Sequence, residues 1–377
     1  MQGRRVHLTG SAAATCGDSL LDSAHSFIHQ FAKRLVESGA GIVIGVGGEP
    51  RTDTGRPCIF DWTTLQVIGD AADPAPRWPA LRPERFVSVA SQRALDRIPS
   101  DRQETWARCR NRSDFLLDVS PAGWRMAGII RERQVLRGDV LMVLGGGAGS
   151  EHLAEMYRGE GKPVIPIYAE LGALNNDGNG GSAYLHRRAL AEPAAFFRLR
   201  PGTGNAAARL SSLRLEPSSD TNGLVSQVAS LVQDLRPPLA FYVRLLAEDH
   251  PDFRDVEDFF RNVVDVVVAD RGFLHKEVGR ERPDNAFMNV EIFQNLHHAS
   301  LVVVDLTGVR PNCTMELGYA LARRRRVVIS AKRGTMLPFD QDKLPTFLWD
   351  NQKESEEQLR AYREWFDRFS DLPPLVQ

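Results

Sequence analysis

The run Val140–Leu144 (VLMVL) is wholly apolar and passes directly into Gly145-Gly146-Gly147. Five apolar residues without polar alternation need cover on both faces, which places such a run inside a parallel sheet sandwiched by helices. The same grammar recurs. Residues 4–8 are β-prone and turn at Thr9-Gly10-Ser11, residues 41–46 (GIVIGV) end in Gly47-Gly48, and residues 163–167 (PVIPI) form one more strand. Between the first two, Phe27, Phe31 and Leu35 recur at helical spacing, with Gly39 and Gly41 as stops. This alternation predicts an α/β fold of Rossmann-like type, a mainly parallel sheet flanked by helices.

A second series follows. Strands are expected at 239–246, 301–304 and 327–330, and helices at 255–268, 290–298, 314–323 and 354–369. With 377 residues the chain has room for two domains, each of this class. The expected boundaries are 1–200 for the first, 201–236 for a linker and connecting helix, and 237–377 for the second. The linker expectation rests on residues 200–223, which are rich in Gly, Ser and Pro and lack clear periodicity.

Composition narrows the partners. Net charge is −1, so bulk charge gives no reason to expect nucleic acid or an anionic membrane surface. No apolar run approaches a membrane span and no signal peptide is visible, so a cytoplasmic protein is expected. The four cysteines (Cys16, Cys58, Cys109, Cys313) show no paired spacing, which predicts neither a metal centre nor disulfides. No cofactor is expected.

Gly145, Gly146, Gly147 and Gly149 join strand to helix and are followed by Ser150 and Glu151. Glycines permit positive φ and close backbone approach, and the helix start offers free N–H groups with a partial positive charge. That combination seats a phosphate. Gly10, Ser11, Gly47 and Gly48 end other strands of the same sheet, so all are expected at one crevice on its carboxyl edge. The run GGGAGSEHLAEMYRGEGKPVIPI, with VHLTGSA and GIVIGVGGEP before it, resembles the LOG-like, or SLOG, nucleotide-binding superfamily, which includes phosphoribohydrolases and DprA-type modules. The resemblance covers roughly residues 1–200 and implies ligand contacts from these positions, from Glu155, and from Arg125 and Arg131 on the preceding helix. Leu144 or Gly145 stands where the enzyme branch has Pro, and Ser150 where it has Thr, so binding rather than catalysis is expected here.

In the second half, the strand ending in Asp305 runs through Leu306-Thr307 to Pro311-Asn312 and then Glu316-Leu317-Gly318-Tyr319-Ala320. Asn312 reads as the N-cap of the helix, and Asp305 and Glu316 as two carboxylates facing one crevice. A carboxylate there can stabilise or capture an anomeric carbon as a base departs. The segment DLTGVRPNCTMELGYALA resembles the nucleoside 2-deoxyribosyltransferase-like and TIR-like group over about residues 238–350. The resemblance implies Glu316 as nucleophile or oxocarbenium-stabilising carboxylate, Asp305 as a base or ribose contact, and Asn312 as an orienting group. It also implies that Phe241 and Tyr242 line the pocket.

These features together predict a nucleotide-sensing effector. Its first domain binds a nucleotide or nucleotide-derived small molecule. Its second cleaves the N-glycosidic bond of a nucleoside, nucleotide or NAD-like substrate. The layout is similar to that of anti-phage signalling proteins and implies a homo-oligomer. Two alternatives stay open: a nucleoside monophosphate phosphoribohydrolase acting at the first site, or a non-catalytic ligand-gated assembly module.

Overall fold

A computed structural model describes residues 3–72, 84–120, 127–173, 181–217, 220–277, 288–337 and 343–370. The chain forms two compact units, Met1–Arg236 and Pro237–Gln377.

The first unit carries six strands: β1 (Arg5–Thr9), β2 (Gly41–Ile44), β3 (Phe86–Ser91), β4 (Phe115–Ser120), β5 (Val140–Leu144) and β6 (Val164–Ile167). All pair in parallel, in the order β4-β3-β2-β1-β5-β6. The order reverses direction between β1 and β5, and such a switch point opens a crevice at the carboxyl edge. Every residue of β2, β5 and β6 is buried, as their unbroken apolar runs require. Helix Asp18–Glu37 buries Leu21, Phe27, Ile28, Phe31 and Leu35. Phe27 and Phe31 stack one turn apart, with centroids 5.7 Å apart. Each large side chain so buried contributes about 1.5–3 kcal/mol. On the opposite face Val43, Val87 and Val89 form a smaller cluster with Ile130 of helix Ala127–Arg137.

The stretch expected to link two domains belongs instead to the first core. Leu210, Leu213, Leu215 and Leu224 are buried there, and helix Thr221–Asp234 adds Val225, Val228, Leu231 and Val232. The backbone of Tyr168 exchanges hydrogen bonds with Leu213 and Leu215, at 2.9 and 2.8 Å, so the stretch extends the sheet past β6. Isolated leucines pinned by backbone pairing leave little periodicity to read.

The second unit has β7 (Leu239–Val243), β8 (Leu274–Lys276), β9 (Leu301–Asp305), β10 (Val327–Lys332) and β11 (Thr346–Trp349). They too are parallel, in the order β11-β10-β9-β7-β8, with the direction reversing between β7 and β9. Two cores lie on its two faces. One gathers Ala240, Tyr242, Val303 and Trp349 against Val256, Phe260, Tyr362 and Phe366. The other gathers Phe241, Val243, Val302 and Val304 against Leu296, Cys313, Leu317 and Ala320. The expected helix at 255–268 runs longer, from Phe253 to Asp270, and is interrupted by a π-helical turn at Phe260–Val264. Both units are thus Rossmann-like α/β sandwiches. No helix among the described residues is long and apolar enough to cross a membrane.

Candidate functional site

At the switch point of the first unit, the turns after β1 and β5 lie in contact. A Cβ on Gly10, whose φ is 143°, would sit 1.8 Å from the carbonyl oxygen of Leu144. One on Gly145, at φ 68°, would sit 2.2 Å from the carbonyl oxygen of Ser11. The Gly146 N–H donates to that same oxygen over 2.7 Å. Gly146 also holds positive φ (79°), and its absent side chain leaves room for the Ser150 hydroxyl. Gly10, Ser11, Gly145, Gly146, Gly147, Gly149 and Ser150 are therefore gathered at one place.

Sequence reasoning missed a second layer. Ser182 Oγ accepts from the Gly145 N–H at 2.7 Å, and the Ser182 N–H donates to Gly145 O at 3.0 Å. Gly181 donates to Gly146 O. The start of helix Gly181–Ala191 thus rests on the turn and occupies one of its N–H groups and two of its carbonyls. Gly147, at the N-cap of helix Ala148–Gly159, supplies no side-chain cap. The N–H groups of Gly147, Ala148 and Gly149 have no partner among the described residues. The guanidinium of Arg131 stands above this first turn, bonded to His152 at 3.0 Å and 3.0 Å from where a Gly149 Cβ would project. A cation at a helix N-terminus opposes the macrodipole, and an anion between them would relieve that opposition.

Other expected contacts lie elsewhere. Glu155 is drawn to the surface, ion-paired to Arg158 at 2.8 Å and Arg188 at 2.6 Å. Gly47 and Gly48 pack toward Ala94 and Arg97, beyond β3, and Gly47 O accepts from Trp62 Nε1–H at 3.1 Å. Arg125 lies outside the described residues. One carboxylate was not foreseen. Asp61, the first residue of helix Asp61–Asp70, is half-buried against Gly45, and burial pushes its pKa up to about 6.

In the second unit the two expected catalytic carboxylates diverge. Asp305 is fully buried. Its Oδ1 accepts from the Thr307 N–H at 3.0 Å, and its Oδ2 accepts from Ser330 Oγ at 2.7 Å and Trp349 Nε1 at 2.8 Å. These donors fix the β9–β10–β11 edge and leave the carboxylate no opening to a substrate. The expectation that Asp305 contacts base or ribose is corrected accordingly. Glu316 is different. It is half-buried in helix Pro311–Ala322, between buried Cys313 and Ala320, and no described residue bonds or pairs with its carboxylate. Burial pushes it up to about 7, within reach of both protonation states at neutral pH. Both carboxylates raise the neighbouring Cys313 thiol, after burial itself, so both lie near that residue.

Asn312 is exposed and does not cap the helix. Arg310 is the N-cap, and Pro311 occupies the first turn, where its missing N–H costs nothing. Phe241 and Tyr242 line no opening. They sit on opposite faces of central strand β7, at 1% and 4% exposure, each packed in its own core. Tyr242 stacks on His275 with centroids 5.1 Å apart. Arg244, just past β7, is gripped by Glu257 at 2.6 Å and Glu277 at 2.7 Å.

Residues 1–232 match the family model described as ATP nucleosidase Cap17-like, N-terminal. The chain belongs to this Cap17-like N-terminal family. Two curated relatives, the ATP nucleosidase Cap17 of Escherichia coli strain KTE188 and that of Escherichia coli, are each 29% identical over 203 residues. That is 53% of this chain and 38% of each relative, so the match covers well under half the length of those proteins. The Cap17-like region falls inside the first unit, and the second unit lies outside it.

Proposed function

We propose that the protein is a two-module N-glycosidase. The Cap17-like first unit, SLOG-like in its motifs, binds a nucleotide-derived ligand on the turn of Gly10, Ser11, Gly147, Gly149 and Ser150. The second unit, similar to the nucleoside deoxyribosyltransferase-like and TIR-like group, cleaves the base–sugar bond of a nucleoside, nucleotide or NAD-like substrate. The relatives' name supports nucleosidase chemistry, with ATP first among substrates to try. The modular layout is supported by a family match that stops where the first unit does.

The observation that carries this reading is Glu316: a half-buried carboxylate free of described partners, held near neutrality. The C1′–N bond breaks with its electron pair leaving on the base, which takes up a proton. Ionised Glu316 stabilises the oxocarbenium-like sugar. Water then adds to C1′ and loses a proton. The role assigned to Asp305 is positional: it fixes the strand end from which helix Pro311–Ala322 departs. Action within a homo-oligomeric, cytoplasmic, anti-phage system belongs to the same proposal and rests on the family resemblance.

A second reading places cleavage in the first unit, favoured by the position of the Cap17-like match. One assay separates the two. The purified chain is incubated with ATP, NAD, AMP and deoxynucleosides, and released base is measured by chromatography. Loss with Glu316→Gln supports the first reading. Loss with Gly149→Asp at saturating substrate, together with full activity of Glu316→Gln, supports the second. No released base under any condition leaves a ligand-gated assembly module.

A further inference from the structure

Asp61 has no part in the function proposed above, yet its setting is unusual for a helix-start carboxylate. Such residues are commonly solvated, where they complement the dipole. Here Oδ2 lies 2.8 Å from the position a Cβ would take on Gly45, so any side chain at 45 would displace it. Its burial is incomplete, and neither oxygen has a bonding partner among the described residues. The neighbouring polar groups are occupied. Glu49 lies between Arg51 and Arg102. His25 uses Nδ1 on Thr63 at 2.7 Å and Nε2 on the Pro57 carbonyl at 2.8 Å.

Position gives this carboxylate a use. The β1–β2 register pairs His7 with Val43, so Gly45 stands level with Thr9, one residue before the Gly10 turn. Two strand spacings of about 4.8 Å separate the end of β2 from the end of β5, so the end of β2, against which Asp61 packs, stands about 10 Å from the glycine turn. A phosphate on Gly147–Gly149 would place its attached sugar between the two. A second phosphate near Asp61 would be repelled. An ionised carboxylate only accepts hydrogen bonds, so its complement is a group rich in O–H donors, such as a ribose diol.

We propose that Asp61 is a specificity-determining residue of the first unit, accepting hydrogen bonds from the ribose hydroxyls of a ribonucleotide whose phosphate rests on the Gly147–Gly149 turn. The inference deepens the proposed ligand site and rests on that reading. Burial that holds Asp61 up to about 6 still leaves it ionised at pH 7.5.

The test is titration calorimetry of the full chain at pH 7.5 with ATP, 2′-deoxy-ATP and 3′-deoxy-ATP. Wild type, Asp61→Asn, Asp61→Ser and Gly149→Asp are compared, with thermal melts as the folding control. The expected result is ATP binding that Gly149→Asp removes, at least tenfold weaker binding of a deoxy analogue, and a preference reduced to about twofold by Asp61→Asn. If Gly149-sensitive binding persists and Asp61→Asn keeps the full preference, the Asp61 inference is wrong and the ligand site stands. If no nucleotide shows Gly149-sensitive binding, both fall. If both Asp61 variants melt well below wild type, Asp61 is structural and the inference fails.

Discussion

Trp349 donates its indole N–H to Oδ2 of Asp305 over 2.8 Å, tying the end of β11 to the end of β9 across the intervening β10. With Ser330 and Thr307 also donating, the carboxylate is a three-way joint inside the sheet. Asp305→Asn would set an amide N–H₂ against at least one of these donors. An unsatisfied buried donor costs about 1–3 kcal/mol, so the second unit should melt earlier while base release per folded molecule is kept. Loss of base release by more than tenfold at unchanged melting temperature would return Asp305 to the reacting centre.

Glu316→Gln should lower base release at least about a hundredfold with the fold intact, the size expected when a group that stabilises transition-state charge is removed. In the wild type the rate should rise with pH and level off above about 7, because catalysis is assigned to the ionised form of a group held up to about 7. Stability should run the other way. A carboxylate raised from 4.5 to about 7 binds its proton more tightly when folded, so its stabilising contribution is complete below about 4.5 and lost as pH rises through 7. The difference is of the order of 3 kcal/mol. Melts of wild type and Glu316→Gln should therefore converge at about pH 4, with the variant more stable at pH 8. A rate that falls as pH rises through 7 would instead mark Glu316 as a general acid.

The close approach of the two glycine turns was legible because sterics demand glycine at Gly10 and Gly145. Gly10 and Gly145 approach a neighbouring carbonyl more closely than any Cβ allows, and that demand shows in the chain as glycine. Ser182, by contrast, bonds Gly145 from 37 positions away, and nothing local marks it. The fate of Asp305 was equally hidden, since the two donors to its Oδ2, Ser330 and Trp349, come from two later strands. Phe241 and Tyr242 were readable: adjacent residues of a central strand face opposite sides, and both sides of a parallel sheet are covered. Strand β3 escaped notice because Ser88, fully buried, breaks its apolar run. Strand β4 escaped because it is an edge, with Asp118 held by Arg133 and Arg137.

Glu155 offers a contrast to Glu316. Its partners Arg158 and Arg188 hold it in an exposed surface network. Glu155→Gln should leave both ligand binding and base release within about twofold of wild type. Its stability cost should stay within about 1 kcal/mol, as for other solvent-exposed pairs. A hundredfold loss of base release would move catalysis to the first unit.

Gly149→Asp separates anion binding from helix stability. Gly149 has no positive φ, and the atom nearest its added Cβ is the mobile end of Arg131, so the side chain can be accommodated. An acidic residue in the first turn favours the helix by about 0.3–1 kcal/mol, and aspartate has better helix propensity than glycine. The melting temperature should hold or rise. The same carboxylate would occupy the free amides of Ala148 and Gly149 and repel a phosphate. Nucleotide binding to the first unit should fall more than tenfold by calorimetry, and more steeply for ATP than for adenosine. Equal weakening of both would mean that the turn holds no phosphate, and stronger binding of ATP would remove the anion seat altogether.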